Sequence, residues 1–329
     1  MKIIIVGGVA GGMSAATRLR RLMEDAEITI FEKGPFVSFA NCGLPYYVSG
    51  EIANRDSLLV QTPESLKARF NLDVRPFHEV IQISPEEHTV TVRHDGKEFT
   101  ESYDKLILSP GAKPFVPTIE GLAEAKNAYT LRNVPDLDEI MAALDNYPKE
   151  AVIIGAGFIG LEMAENLAKR GLQVTIVEKA PHVLPSLDQE MAAFVQAELV
   201  KNSVRVITSQ SATRFEEQGK VIVLENGQKI TSDLTILSVG VEPENGLAKT
   251  AGIELGLRGG ILVDEHYETS QKDIFAVGDA IVVKQEITGQ DALISLASPA
   301  NRQGRQVADV IAGLERTNKG SIGTTIVRA

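Results

Sequence analysis

The chain has 329 residues, 43% hydrophobic and 23% charged, and its 33 basic against 44 acidic residues give a formal charge of −11. This composition is typical of a globular protein, excludes disordered and collagen-like chains, and disfavours nucleic acid as a partner. No apolar run approaches the ~18 residues of a membrane span, and one cysteine excludes a disulfide framework. The histidines show no metal-ligand spacing. We therefore expect a cytoplasmic protein without metal, membrane or nucleic-acid partners, and a domain size of roughly 150 residues predicts two domains.

The first predicted unit runs over residues 2–34, as an apolar strand, a glycine-rich turn, a helix, a second strand and an acidic residue. Its loop departs from the G-x-G-x-x-G pattern, because Val9 stands at the second glycine position while Gly7 and Gly12 hold the first and third. Glu32 follows at the distance expected of a residue that accepts hydrogen bonds from an adenosine ribose. This order predicts a βαβ dinucleotide-binding unit.

The next segment, residues 38–47 (SFANCGLPYY), contains the only cysteine, Cys42. Asn-Cys-Gly between Gly34 and Pro45 is a poor core pattern, so Cys42 is a candidate reactive thiol. We place it at the start of a helical segment, where the helix dipole favours the thiolate. Residues 87–101 then predict a hairpin around an Asp-Gly turn, and residues 103–112 a buried strand that ends in a glycine turn.

Residues 151–179 repeat the first unit, now with the full Gly155-x-Gly157-x-x-Gly160 fingerprint between a strand and a helix. Glu178 at the end of the following strand disfavours a 2′-phosphate and favours NADH, although the adjacent Lys179 keeps NADPH open. An Asn-Gly hairpin at 219–232 and a strand at 232–241, similar to 103–112, complete this second copy. Two dinucleotide sites in one chain indicate FAD and a nicotinamide that exchange a hydride.

The chain then returns through residues 242–248 to a predicted strand at 259–265 (GGILVDE), the segment IFAVGDA and a helix from about Pro299 to Gly313. With Phe275-Ala276-Val277-Gly278-Asp279, the chain resembles the pyridine nucleotide–disulfide oxidoreductase family of flavoproteins. The segment around Cys42 is similar to the single-cysteine branch of coenzyme A disulfide reductases, coenzyme A persulfide or polysulfide reductases, NADH oxidases and NADH peroxidases.

This resemblance implies an α/β fold of two Rossmann-like, glutathione-reductase-like domains, the second inserted in the first. The predicted domains are an FAD-binding domain at 1–112 and 246–329 and an NAD(P)H-binding domain at 113–245. The implied roles are flavin binding by Asp279, an aromatic gate at Phe158, an acid near the nicotinamide at Glu162, and contact of the 78–80 backbone with adenine. The predicted cofactor-binding residues are Gly7, Gly8, Ala10, Gly11, Gly12, Glu32, Lys33, Val80, Ser109, Gly111, Gly155, Gly157, Phe158, Gly160, Glu162, Glu178, Gly240, Gly278, Asp279 and Ala297.

The resemblance also separates members of the branch. Oxidases and peroxidases carry a histidine in the first loop where this chain has Ala10, which disfavours peroxide and favours coenzyme A as substrate or bound ligand. In coenzyme A-binding relatives, basic residues on the first helix hold the nucleotide phosphates, although a solvated helix face explains the same cluster. The predicted substrate-binding residues are Ser14, Arg18, Arg21, Ser38, Asn41, Arg69 and Arg305.

The implied reaction uses NADH to reduce a disulfide or persulfide between Cys42 and a substrate sulfur. The alternatives are an NADH oxidase or peroxidase, a flavin reductase for a small redox protein with Cys42 incidental, and a dinucleotide-binding protein without catalysis. Relatives continue beyond the position of Ala329 with a C-terminal domain that forms a homodimer and supplies active-site tyrosines. The resemblance therefore leaves dimerisation and activity of this chain open.

Overall fold

The structure, a computed structural model, describes residues 1–326 and divides into two compact units. The first unit comprises Met1–Phe39, Leu59–Lys113 and Glu242–Thr324. The second comprises Ala40–Leu58, Pro114–Val241 and the last described residues. The segment that carries Cys42 thus packs with the second unit. Which dinucleotide each predicted domain binds, and its boundaries, stay a prediction.

The helices and strands follow in chain order. The helices are α1 Ala10–Leu22, α2 Leu44–Val48, α3 Pro63–Phe70, α4 Val134–Leu144, α5 Phe158–Lys169, α6 Gln189–Lys201, α7 Gly246–Thr250 and α8 Ala297–Ile311. The strands are β1 Lys2–Val6, β2 Glu27–Phe31, β3 Asp73–Arg75, β4 Glu79–Ser84, β5 Thr89–His94, β6 Lys97–Ser102, β7 Lys105–Leu108, β8 Ala112–Pro114, β9 Ala128–Tyr129, β10 Glu150–Ile154, β11 Gln173–Val177, β12 Arg205–Ile207, β13 Ala212–Glu216, β14 Val221–Leu224, β15 Lys229–Thr231, β16 Leu234–Leu237, β17 Val241–Pro243, β18 Ile274–Ala276, β19 Val283–Lys284 and β20 Asp291–Ala292.

The first unit is built on a parallel sheet with the order β18-β7-β1-β2-β3. Its central strand β1 is a run of β-branched residues, and Ile3, Ile4 and Ile5 are completely buried, as expected of a strand covered on both faces. Helices α1 and α8 pack so closely that a Cβ at Gly304 would lie 2.2 Å from the carbonyl oxygen of Gly11. This contact joins the first and last parts of the unit.

The second unit repeats this topology in a parallel sheet with the order β12-β11-β10-β16-β9. Strand β10 takes the place of β1 and β11 that of β2, and β16 pairs with β10 as β7 pairs with β1. The internal repeat predicted from the sequence is therefore confirmed.

The two predicted hairpins are also confirmed. Strands β5 and β6 are antiparallel around Asp95-Gly96, and β14 and β15 are antiparallel around Asn226-Gly227. Asp95 and Gly96 both have positive φ, 49° and 73°, which matches the type I′ turn of two-residue hairpins.

Two element predictions need correction. The strand predicted at 259–265 is wrong, because only Ile261 forms bridges there, to Leu255 and Ile281. Gly259, with φ of 78°, and the turn from Asp264 to Glu268 bend the chain on either side of that residue. Helix α8 begins at Ala297 and ends at Ile311, two residues before the predicted start and end.

Candidate functional sites

The first glycine loop turns from β1 into α1 at positions where no side chain fits. Gly7 has φ of 98°, and a Cβ there would lie 2.1 Å from the carbonyl oxygen of Ser109. A Cβ at Gly12 would lie 1.9 Å from the carbonyl oxygen of Gly7. These glycines are therefore required for the turn and for close packing of helix on strand, as in dinucleotide-binding loops.

The second loop has the same construction between β10 and α5. A Cβ at Gly155 would lie 2.5 Å from the carbonyl oxygen of Ser238, and one at Gly160 would lie 2.1 Å from that of Gly155. Gly157 differs, because a Cβ there meets no atom within 4 Å. The space above Gly157 is where the fingerprint brings a pyrophosphate against the backbone.

In each loop, the acidic residue predicted from the sequence accepts hydrogen bonds from backbone amides. Glu32 accepts hydrogen bonds from the amides of Gly8 and Gly34, both at 2.8 Å. Glu178 accepts them from Ala156 at 2.6 Å and Ala180 at 2.7 Å, and it is buried. These amide donors fix both carboxyl groups at the carboxyl ends of β2 and β11, and further lone pairs remain for ligand hydroxyls.

The Gly-Asp motif lies at the same sheet edge as the first loop. Gly278 has φ of 85° just beyond β18, and its amide donates to Oε1 of Gln303 at 2.8 Å. A Cβ at Gly278 would lie 3.7 Å from Oγ of Ser109, which directly follows the neighbouring β7. The carboxyl edge of β18-β7-β1 thus gathers the predicted flavin residues, as ligand sites in such sheets require. Gln303, buried on α8, is a residue that sequence reasoning missed, since nothing local marks it.

The remaining predicted cofactor residues are more scattered. Lys33 is exposed and pairs with Glu244 at 3.5 Å, and Val80 is buried on β4. Gly111 and Gly240 have φ of 74° and 116° at the strand ends of the two units. Ala297 is exposed at the first position of α8, and Phe158 is partly buried at the first position of α5. Their roles stay predictions.

Glu162 on α5 has the electrostatics of a candidate acid–base group. Burial, with a smaller contribution from the nearby charge of Glu165, raises the pKa of Glu162 to about 7. A carboxyl group that titrates near neutrality takes up and releases protons readily, and such groups are enriched at functional sites.

Cys42 lies in a 3-10 turn, Asn41–Gly43, that leads directly into α2, and its side chain is exposed. The predicted helical segment is present but α2 has only five residues, so a strong helix dipole at the thiol is not available. Asn41 is fixed by a hydrogen bond of 3.2 Å from Nδ2 to the carbonyl of Arg132. Ser38, the other predicted residue of this segment, has a strained φ of 47°.

The basic residues of α1 separate in the structure. Arg18 donates from Nε to the buried Asp309 at 2.7 Å, and Arg316 donates to the same carboxylate at 2.8 Å. Burial raises the pKa of Asp309, but the hydrogen bonds from both arginines outweigh it and leave the pKa below its ordinary value. Arg18 therefore has a structural partner in addition to any phosphate.

Arg21 and Arg69 both contact one aromatic ring. Their guanidinium carbons lie 5.5 and 5.1 Å from the ring centre of Phe70, within the range of cation–π interactions. Ser14 on α1 donates to Asn301 on α8 at 2.8 Å, and Arg305 is exposed on α8. Among residues 1–326, no three His, Cys, Asp or Glu side chains are grouped as a metal site.

Comparison with known proteins agrees with the duplicated fold and its loops. Residues 1–304 match the family described as pyridine nucleotide-disulphide oxidoreductase. The chain belongs to this family. The predicted family and α/β fold class are therefore confirmed.

Three relatives show how far the similarity extends. The coenzyme A disulfide reductase of Staphylococcus haemolyticus is 36% identical, over 99% of this chain and 74% of its own length. A crystal structure of reduced Bacillus anthracis CoADR-RHD is 50% identical with a TM-score of 0.98 and 99% of this chain covered. A NAD-dependent persulfide reductase from A. fulgidus is 36% identical with a TM-score of 0.97 and 100% covered. The chain spans 59% and 62% of those two crystallised chains.

These relatives are oxidoreductases of the kind that the sequence predicts, since their names include coenzyme A disulfide and persulfide reductases. In the part of the chain that the structure describes, none of the helices has the length and apolarity needed to cross a membrane.

Proposed function

We propose that this chain binds FAD in its first unit and NADH in its second, and reduces coenzyme A disulfide or persulfide through Cys42. The proposal rests on the two glycine loops, each hydrogen-bonded through a backbone amide to an acidic residue, Glu32 or Glu178. It also rests on Cys42, the only cysteine of the chain, which is exposed. FAD, when bound, relays two electrons from a reduced nicotinamide to a sulfur acceptor.

The residues of the first unit fit FAD. The loop from Gly7 to Gly12 presents backbone amides at the start of α1, where a pyrophosphate is stabilised. Glu32 is fixed for a ribose, and Gly278 and Asp279 follow β18 at the same sheet edge. We assign the first unit to FAD because the Gly-Asp motif belongs to it.

The residues of the second unit fit NADH better than NADPH. Glu178 is buried and held by two amides, so its negative charge cannot move away from an adenosine ribose. A 2′-phosphate there would meet a fixed like charge, which costs binding free energy.

Cys42 supplies the sulfur chemistry. Its thiolate attacks one sulfur of coenzyme A disulfide, the S–S bond breaks, and one coenzyme A thiolate leaves. Two electrons that come from NADH then cleave the mixed disulfide, which releases the second coenzyme A and restores the Cys42 thiolate. The balance is one NADH and one proton consumed, with two thiols and NAD⁺ produced.

Two further observations support a coenzyme A substrate over peroxide. Ala10, at the first position of α1, has no group that donates a proton to oxygen. Arg21 and Arg69 both contact the ring of Phe70, and guanidinium groups are suited to bind the phosphates of a nucleotide. We infer a cytoplasmic setting, because a thiol remains reduced there. We also infer that the chain forms a homodimer, which is what the family resemblance implies.

Replacement of Cys42 tests this function. Under anaerobic conditions the Cys42→Ser variant is expected to retain FAD and to bleach it with NADH, yet to lose reduction of coenzyme A disulfide and persulfide. The loss should exceed ~100-fold, because no other thiol exists to attack the disulfide. Peroxide and a small ferredoxin-type acceptor in further anaerobic samples, and dioxygen in an aerated one, serve as parallel acceptors. Normal disulfide turnover by the variant, or wild-type preference for one of those acceptors, contradicts the proposal.

A further inference from the structure

The segment Ala40–Leu58, which carries Cys42, is a closed and packed loop. Its ends are joined by a hydrogen bond of 2.8 Å from the amide of Ala40 to the carbonyl of Leu58. Inside it, Leu44, Val48 and Leu58 are buried. A Cβ at Gly43 would lie 2.9 Å from Leu58, so the turn that carries Cys42 rests directly on this small core. Contacts that fix the orientation of the segment therefore also fix the orientation of the thiol.

One end of this segment is fastened to α4. Arg55 donates from two nitrogens to the carboxylate of Asp138, at 2.8 and 2.6 Å. The pair is partly buried, and the hydrogen bond to Asp138 raises the pKa of Arg55 further above its ordinary value. A bidentate pair fixes orientation as well as distance, which a single hydrogen bond does not.

The middle of the segment is held at the end of α5. Arg170 follows α5 directly and donates to the carbonyl of Val48 at 2.8 Å. Val48 is the last residue of α2, and its carbonyl has no partner within a helix that ends there. Lys169 adds a longer ion pair with Glu51 at 3.3 Å.

We propose that Arg55 and Arg170 are positioning residues that fix the Cys42 turn on α4 and α5 and thereby set the reactivity of the thiol. The proposal rests on the proposed function of Cys42 as the attacking group. It extends that function to Arg55 in the same segment and to Arg170, which is distant in sequence and follows the helix that begins at the proposed NADH loop. Attack on a disulfide requires an aligned thiolate, so loosening the segment lowers the rate of attack.

Alkylation of Cys42 by iodoacetamide tests the proposal on the flavin-loaded chain, without any electron acceptor. The rate is followed by mass spectrometry from pH 5 to 10 for wild type, Arg55→Gln and Arg170→Gln. Each variant is expected to lower the plateau rate by about threefold or more, the scale of a partly exposed ion pair or hydrogen bond that is lost, and a raised rate contradicts the proposal. Wild-type profiles for both variants overturn the proposal.

Conservative variants separate positioning from general damage. Arg170→Lys should restore the wild-type profile, because an ammonium can donate the single hydrogen bond to Val48. Arg55→Lys should not, because lysine cannot form the bidentate pair with Asp138. Asp138→Asn removes the charge of the same ion pair from the side of α4, so the test does not depend on the stability of the Arg55→Gln variant.

The matched control is Arg214→Gln, which removes an ion pair of 2.7 Å to Glu216 on β13 in the same unit. It should leave the alkylation profile unchanged, and an equal change in this control overturns the proposal. The proposed function is tested separately, by the disulfide turnover of the Cys42→Ser variant. Alkylation measures only the reactivity of the thiol, so the two proposals can fail independently.

Discussion

At the scale of single residues, Gly157 and Gly160 separate ligand binding from folding within one loop. A Cβ at Gly157 meets nothing within 4 Å, whereas one at Gly160 meets a carbonyl oxygen at 2.1 Å. Gly157→Ala is therefore expected to keep the wild-type melting temperature but to raise KM for NADH at least ~10-fold, because the methyl group occupies the pyrophosphate position. Gly160→Ala should instead lower the stability of the fold by ~1–3 kcal/mol through overpacking.

Thermal melts and NADH kinetics on the two variants check this contrast. A Gly157→Ala variant with unchanged KM would mean that no pyrophosphate approaches this backbone. A stable Gly160→Ala variant would mean that the helix can move away from the strand.

At the scale of the element, α5 places Glu162 and Glu165 one turn apart, and Glu165 pairs with the cationic Lys169 at 2.6 Å. The pKa of Glu162 rises from 4.5 to about 7 on folding, so its folded state favours the protonated form. Its contribution to stability is complete at low pH and is lost as pH rises from about 4.5 to about 7. Glu162→Gln should therefore be more stable than wild type above pH 7 and equal to it at pH 4. We expect a difference on the order of 1 kcal/mol, because water screens this partly exposed carboxyl group.

Urea unfolding at several pH values measures this difference, with Glu198→Gln on α6 as the control. Hydrogen bonds from Lys201 and Asn202 lower the pKa of Glu198, so that control should gain nothing at high pH. A Glu162→Gln variant with the same pH dependence as wild type would show that Glu162 is hydrated.

At the scale of the whole molecule, the first unit depends on a contact between residues nearly 300 positions apart, in which a Cβ at Gly304 would lie 2.2 Å from the carbonyl of Gly11. Gly304→Ala is expected to cost ~1–3 kcal/mol and to release FAD, because separation of α8 from α1 also moves the first loop. Gly246→Ala is the control, since its Cβ would meet no atom closer than 3.8 Å. Melting curves and retained flavin absorbance compare the two. Full flavin retention by Gly304→Ala would contradict this link.

The sequence by itself determined the repeated βαβ units, both glycine loops with their acids, the two hairpins and the single thiol. These features are local: a β-branched run, a turn that only glycine can adopt and a short hairpin loop with Asp-Gly or Asn-Gly each act within a few residues. The predicted strand at 259–265 failed because an apolar run does not reveal whether a neighbouring strand is available to pair with it.

Only the tertiary structure decided how the side chains are paired. In the structure, Arg18 donates a hydrogen bond to Asp309, and Gln303 accepts one from the amide of Gly278. The Cys42 segment is hydrogen-bonded to Asp138 and to Arg170. The partners in these contacts lie 25 to 291 positions apart. No local pattern encodes them, because a buried charge or amide is satisfied by whichever group the packed chain brings within hydrogen-bond distance.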